Sequence, residues 1–570
     1  MAKQQKQQFQ ALTPITYRDF IGINPSAAPY NLEDGELFEA IDVYVDRNGG
    51  ICSRRTVTPF ASKGIPPSIC SMMQFESKAG DSYVIMQDDD GKVWHVKNGP
   101  GPVVASPLPK NENGRCCYVG WQVNDYFYMS NGNKVWKWDG VGSAVDVTTT
   151  TIHPLGDEQN VNNMGVLAGC QTANFLNTVF VAGPKINEVD PRAVYWSSPV
   201  IEYPDGEIKG QEDFSEMARF SFTNGAPSDE IVRLLPCGQN LLVIKSHSVH
   251  AVRANDNASV AEFFYTDVLD DAGIVGPQAV ACELGTAFMF DQRRGVIMVE
   301  SDGTTTQMFD QLFGLIEDKR IKNMKLTAMA SHGRKLYVSL PLDSKEHNTH
   351  TFVYDFDVKG WVEYCIGFDM FLDYCPASDN SKNAGGLIGY VASENALVFV
   401  DDAHEMYDDF GTRKQRIKPS FSTKWFDHAL PYIPKNFNSA EVTLTSAGVA
   451  ELCVTPTYDW DQSIGDDTRV VENDGIPVVD QCPEFDDCDN VTYAKEVVVV
   501  CDPETMEETP LDCDGGPFYG PRTDTTDSVS LGKLNKGRAV QFRFEDNRSD
   551  APWCIGQITM YYKPLSVKGC

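Results

Sequence analysis

Short apolar or aromatic runs alternate along the chain with turns rich in Gly, Asp and Asn, and each turn is followed by a second such run. This is the pattern of antiparallel hairpins. Residues 83–96 read YVIMQDDDGKVWHV, 126–138 read YFYMSNGNKVWKW, 241–252 read LLVIKSHSVHAV and 288–299 read FMFDQRRGVIMV. Shorter versions occur at VFVAGP (179–184) with AVYW (193–196), LYVSL (336–340) with FVYDF (352–356), and LVFVDDAHEM (397–406). Helical periodicity over ten or so residues is not found, so the chain reads as all-β. Hairpins opening at Tyr83, Tyr126, Val179, Leu241, Phe288, Leu336 and Leu397 are spaced by about 52 residues on average, close to the repeat of a four-stranded propeller blade. The reading is a degenerate β-propeller of six or seven blades over residues 60–410. After Phe410 the runs lengthen and alternate, as in AEVTLTSAGVAELCVTP (440–456), AVQFRF (539–544) and WCIGQITMYY (553–562). These predict a β-sandwich platform domain from 411–455 and 530–570, with an acidic insert, 456–529, as an inserted tip domain, and with 1–59 as an extended arm joining the platform.

Composition adds a surface to this scaffold. The 570 residues carry 48 Lys+Arg against 80 Asp+Glu, a net charge of −32, with 42% hydrophobic and 11% aromatic residues. The apolar content supports packed cores, so the acidity belongs to surfaces. A general nucleic-acid binder needs a basic footprint that displaces counterions from phosphate, which this balance opposes, and adsorption to anionic lipid is disfavoured too. No apolar run approaches the roughly 20 residues of a membrane-spanning helix, and the opening MAKQQKQQFQ lacks the apolar region of a signal peptide. Folding in a cytosol is expected, with the 16 cysteines reduced and mostly buried. The charge is uneven. Residues 456–529 hold twenty acidic residues against Arg469, Lys495 and Arg522, a net of −17, and the remaining chain is only modestly acidic.

Candidate chemistry is sparse. Cys482, Cys488, Cys501 and Cys513 lack the close pairs of a structural zinc site. Asp459, Asp461 and Asp467 alternate like a calcium loop, but the Gly falls one place late and Val470 stands where a Glu is required. An irregular divalent-cation site on these oxygens is the one cofactor considered; otherwise none is expected. No nucleophile elbow, P-loop, dinucleotide fingerprint or H-E-x-x-H helix occurs. His247 and His250 read as hairpin decoration, and Asp88–Asp90 and Asp401–Asp402 as solvated turns. Two basic clusters, Lys319, Arg320, Lys322 and Lys325, and Arg413, Lys414, Arg416 and Lys418, are candidates for subunit contacts or for touching a DNA backbone, against the plainer reading of solvated loop charge.

Residues 20–55 read FIGINPSAAPYNLEDGELFEAIDVYVDRNGGICSRR, with the skeleton Gly22, Ile23, Pro29, Leu32, Gly35, Gly49, Gly50 and Arg54. This resembles the opening of the tail nozzle proteins (tail tubular protein B) of short-tailed bacteriophages. KWFDHALPYIPKNF (424–437) and GRAVQFRFEDNRSDAPWCIGQITMYYKP (537–564) resemble the closing module of the same group. The resemblance implies a structural virion protein without enzymatic activity, assembled in the host cytoplasm into the virion tail. It implies a homohexameric ring below a tail adaptor protein, with tail fibres on its flank and no membrane insertion, which retains and then conducts double-stranded DNA. An acidic wall suits that task, because Lys or Arg contacts would grip the passing phosphates. Two other classes remain open: a propeller-based virion glycan hydrolase or depolymerase, whose paired carboxylates no spacing would reveal, and a host-receptor-binding tail module using the acidic insert.

Overall fold

The computed structural model describes residues 13–565 apart from 25–30, 111–118, 150–165, 184–191, 199–200, 203–207, 223–228, 255–262, 301–303, 309–319, 377–384, 460–468, 474–524 and isolated positions between them. Strands dominate, and the one helical element among the described residues is the short turn Met324–Leu326. No helix there is long and apolar enough to cross a membrane.

The hairpins assemble into seven four-stranded meanders, here blades 1 to 7: residues 69–105, 119–146, 171–221, 231–269, 280–307, 328–364, and 370–403 with 56–61. The first strands adjoin one another around a closed ring, from Ile69–Glu76 through Val119–Val123, Gln171–Phe175, Ile231–Cys237, Val280–Glu283, Ala328–His332 and Met370–Tyr374 back to Ile69–Glu76. This is a seven-bladed β-propeller. Its core is divided among the blade interfaces. Phe60, Met86 and Tyr390 pack between blades 7 and 1, Phe75, Phe127 and Trp138 between 1 and 2, and Leu242, Ile244 and Met289 between 4 and 5. Blade 7 takes its outer strand, Thr56–Ala61, from the other end of the sequence, antiparallel to Ala396–Ala403. The two ends of the propeller are thereby joined.

The second unit is a sandwich. One sheet runs Val43–Val45, Ile51–Ser53, Trp553–Pro564, Lys435–Ser446, Thr525–Lys533, with Thr13–Tyr17 added along Trp553–Pro564. The other runs Glu36–Ile41, Ser420–Thr423, Val540–Asp546, Ala450–Tyr458, Arg469–Asn473. Alternating residues of both, such as Val442, Leu444, Ile558 and Met560 against Phe421, Phe542 and Phe544, form the largest core cluster. This second sheet continues through Gly22–Ile23 into blade 6, making ten strands in all.

The edges of these units differ from the sequence reading. Thr56–Ala61 straddles the division drawn at residue 59, and Arg469–Asn473 and Thr525–Lys533, from the two ends of 456–529, are platform strands. They pair with Ala450–Tyr458 and Lys435–Ser446, although the charge around them set the boundary. The cysteine expectation is also corrected. Cys52–Cys554 and Cys237–Cys282 are disulfides, while Cys365, Cys375 and Cys453 form none among the described residues. Cys52 and Cys554 are direct cross-strand partners, 502 residues apart in sequence, a proximity that spacing along the chain cannot show. Cys482, Cys488, Cys501 and Cys513 lie outside the described residues.

Candidate functional site

The residues of the N-terminal motif converge where the propeller meets the platform. Gly22–Ile23 lies between the two units, parallel to Glu36–Ile41 and antiparallel to blade 6 at Trp361. The approach is too close for a side chain. A Cβ at Gly22, whose φ is +118°, would stand 2.7 Å from the Trp361 carbonyl oxygen, and one at Gly360 would stand 1.6 Å from the Ile21 carbonyl oxygen. The next glycines fasten the arm to itself: Ile21 N–H donates to the Gly35 carbonyl (2.9 Å) and Phe20 N–H to the Gly49 carbonyl (2.9 Å). Asp46 Oδ1 accepts the Gly50 N–H at 2.6 Å, and Leu32 is buried. Pro29 lies outside the described residues.

Arg54 closes the motif as a buried clasp. Its side chain is 2% exposed. Nε donates to Asp42 Oδ1 at 2.7 Å, and Nη1 and Nη2 donate to the two Asp408 oxygens at 2.9 and 2.5 Å. Asp408 also accepts the Val57 N–H, and Asp42 the Cys365 N–H. One guanidinium therefore ties the arm, the end of blade 6 and the hairpin after blade 7 together, with the fork geometry that two carboxylates require. Beside it, Asp401 accepts from Lys335 Nζ (3.0 Å) and Tyr337 Oη (2.8 Å), and the Arg54 guanidinium lies 5.2 Å from the Tyr364 ring centre. Lys335 lowers the Asp401 carboxyl against the opposing effect of burial. The expectation that Asp401 is a solvated turn residue is thus overturned. It is the largely covered counter-charge of Lys335, its side chain 11% exposed, and Asp88 is buried, accepting the Trp94 Nε1–H at 2.8 Å. On the far side of the junction Glu363 is pushed up to about 7 by burial, with Glu39 and Asp42 adding to the shift.

The propeller's innermost strands are riveted to one another by polar groups. Gln74 and Cys375 exchange two hydrogen bonds (2.9 and 3.0 Å), as do Gln122 and Glu76 (2.9 and 2.8 Å). Ser331 donates to Glu283, and His332 Nδ1 lies 2.9 Å from Asp373. The Cys237–Cys282 disulfide plays the same part between blades 4 and 5.

One constellation escaped the sequence reading. Asp267 Oδ1 lies 2.7 Å from His250 Nδ1, and His250 Nε2 lies 3.1 Å from Ser248 Oγ. The order is that of a hydrolase triad, but the Ser248 hydroxyl is buried and donates to Asp229 at 2.9 Å, itself paired with buried Lys245 at 2.8 Å. With its proton directed to Asp229, the hydroxyl serves as a link between the outer strand of blade 4 and a buried ion pair. His250 is therefore a structural core histidine and not a decoration. The alternation S-V-H was visible in the sequence; the carboxylates that complete it were not.

The basic clusters are largely neutralised within the chain. Arg413 pairs with Glu394 (2.7 Å), Lys414 with Asp409 (3.5 Å) and Arg416 with Asp546 (2.7 Å). Arg320 and Lys322 share Asp343 (3.1 and 3.8 Å). Lys325 and Lys418 are exposed and form no ion pair among the described residues; Lys319 lies outside them. Of the metal candidates, Asp459 is placed and its carboxylate accepts the Arg538 N–H, capping a platform turn, while Asp461 and Asp467 lie outside the described residues. Among the described residues, the one group with metal-ligand spacing is Asp46, Cys52 and Cys554, whose sulfurs are bonded to each other.

The chain matches no protein-family model and no curated protein. Among solved structures it is similar to the BBS1N chain of a complex with ARL6DN, at 10% identity over 61% of this chain and 94% of that one, TM-score 0.34. It is also similar to apo AztD from Citrobacter koseri, at 10% identity over 53% and 86%, TM-score 0.29. The Neurospora crassa Pan2 WD40 domain is similar at 9% identity over 61% and 93%, TM-score 0.31.

Proposed function

We propose that the chain is a structural subunit of a tail nozzle of a short-tailed phage, a ring of copies around a DNA exit channel, without catalytic activity. The observation that supports this reading is the clasp. Gly22, Ile23, Gly35, Gly49, Gly50 and Arg54, which carry the sequence resemblance, build one joint that fixes a propeller to a platform. A motif that builds such a joint specifies a rigid two-part body, which a pressurised channel wall requires. The charge agrees: −32 per copy repels a polyanion over the roughly 8 Å that salt leaves unscreened, so DNA passes without being held. The Cys52–Cys554 and Cys237–Cys282 disulfides suit a particle that persists outside the cell after assembly. The test is electron microscopy of the purified full chain and of tails assembled with and without it. Six-fold rings located at the tail tip support the proposal; a chain that stays monomeric and is missing from tails overturns it.

A further inference from the structure

The platform ends in a loop held rigid from beneath. Tyr432 is 87% exposed, the largest exposure of any large apolar residue described. It is flanked by Leu430, Pro431, Ile433 and Pro434, a stretch without charge. Below it, Lys435 is fully buried, and its ammonium donates to three main-chain carbonyls: Leu430 (2.6 Å), Ile433 (3.1 Å) and Arg538 (2.6 Å). It forms no ion pair among the described residues. A buried ammonium without a carboxylate is costly, and burial depresses the Lys435 pKa accordingly. Further bonds complete the frame: Ile433 N–H to the Leu430 carbonyl (3.1 Å) and Leu565 N–H to the Pro434 carbonyl (2.9 Å). Beneath lies His428, stacked on Tyr562 at 4.1 Å and bonded to Tyr17 at 2.9 Å.

A tyrosine presented to solvent on a proline-flanked loop whose backbone is already held in place brings less ordering cost to a partner, which is the design of an interface anchor. The surroundings select the partner. Gly537 is the register partner of Lys435, and Lys536 and Lys563 both pair across to Asn436. Lys536 and Arg538 are exposed and Lys563 half-buried, and none forms an ion pair among the described residues. An apolar tip rimmed by cations, on a chain of net charge −32, complements an acidic protein surface with an apolar recess. Bare duplex DNA would match the cations but leave Leu430, Ile433 and the two prolines without a counterpart.

We infer that the Tyr432 loop is the anchor by which one copy of this chain docks on the acidic surface of the next, a head-to-tail contact of the kind that closes rings. The inference rests on the nozzle reading for the existence of a ring. The test uses the full chain with a benzophenone photo-crosslinking residue at position 432, together with Tyr432→Ser and the double variant Lys536→Glu, Arg538→Glu. Irradiation is expected to give covalent dimers of this chain. Tyr432→Ser is expected to raise the concentration needed for assembly at least tenfold, with unchanged melting because the side chain is solvent-exposed. The double variant should slow association and flatten its salt dependence. If the unmodified chain assembles while position 432 gives no inter-chain product and Tyr432→Ser assembles normally, the loop inference fails and the nozzle reading stands. A chain that never self-associates overturns both. Crosslinking to added duplex DNA in place of a second copy overturns the assignment of partner.

Discussion

Arg54 has lost nearly all contact with water, and its charge is balanced by Asp42 and Asp408 alone. Removing one member of such a group strands the others, so Arg54→Ala should lower stability by about 3–5 kcal/mol, measured by denaturant unfolding, while Arg416→Ala, which removes an arginine 26% exposed, should cost less. Two titrating groups give the molecule a pH profile with opposite slopes. Burial first, and Lys435 second, depress His428 from 6.5 to about 4. The unfolded chain binds that proton more readily, so stability present above pH 6.5 is lost as pH falls through this window. Glu363 is raised from 4.5 to about 7, so the folded chain holds the proton longer, and stability present below pH 4.5 is lost as pH rises through 7. The two windows nearly coincide, so the slopes offset each other in the unmodified chain: His428→Gln should leave melting temperature falling between pH 4.5 and 7, and Glu363→Gln should leave it rising between pH 4 and 6.5. The sequence marked Arg54 as the end of a motif but hid its role, because Asp408 is 354 residues away. Asp401 was misread for a related reason: its partner Lys335 lies on another blade, and an Asp-Asp pair in a hairpin looks the same whether or not a lysine covers it.

The elements were legible where they bury an apolar face and obscure where they do not. Each of the seven hairpin starts falls in a different blade, on the second strand in blades 1 to 6 and on the third in blade 7. Outer strands such as Val104–Ala105, Val145–Asp146 and Thr305–Gln307 are short and exposed, so they have no hydrophobic period to read. The outer strand of blade 7 could not be assigned locally, because its partner lies more than three hundred residues downstream; Pro59 is tolerated there since an edge strand leaves one side unbonded. Val57→Pro removes the N–H that Asp408 accepts at 3.1 Å and should open blade 7, seen as accelerated hydrogen exchange in Ala396–Ala403 before the other blades exchange. Cys52–Cys554 joins the arm to the final long strand. Cys52→Ser with Cys554→Ser should cost about 2–5 kcal/mol under oxidising conditions, and a reducing agent should lower the melting temperature of the unmodified chain by more than that of the variant, which keeps only Cys237–Cys282 of the pair.

At the scale of the whole molecule, a propeller and a sandwich share one ten-stranded sheet, so the two units move as a body more readily than they move against each other. The sequence supported both units through their strand periods, but it did not reveal the shared sheet, which depends on the two-residue strand Gly22–Ile23. The acidic charge first argued against any association with nucleic acid; because 456–529 alone holds −17 of the −32, it is compatible with the DNA-channel wall proposed above. The central claim is that this body is one subunit of a ring. Its most direct test is the mass of the purified full chain in solution at micromolar concentration, by light scattering or mass photometry. The account predicts a species near six times 63.2 kDa; a single species at 63.2 kDa across all concentrations would contradict it.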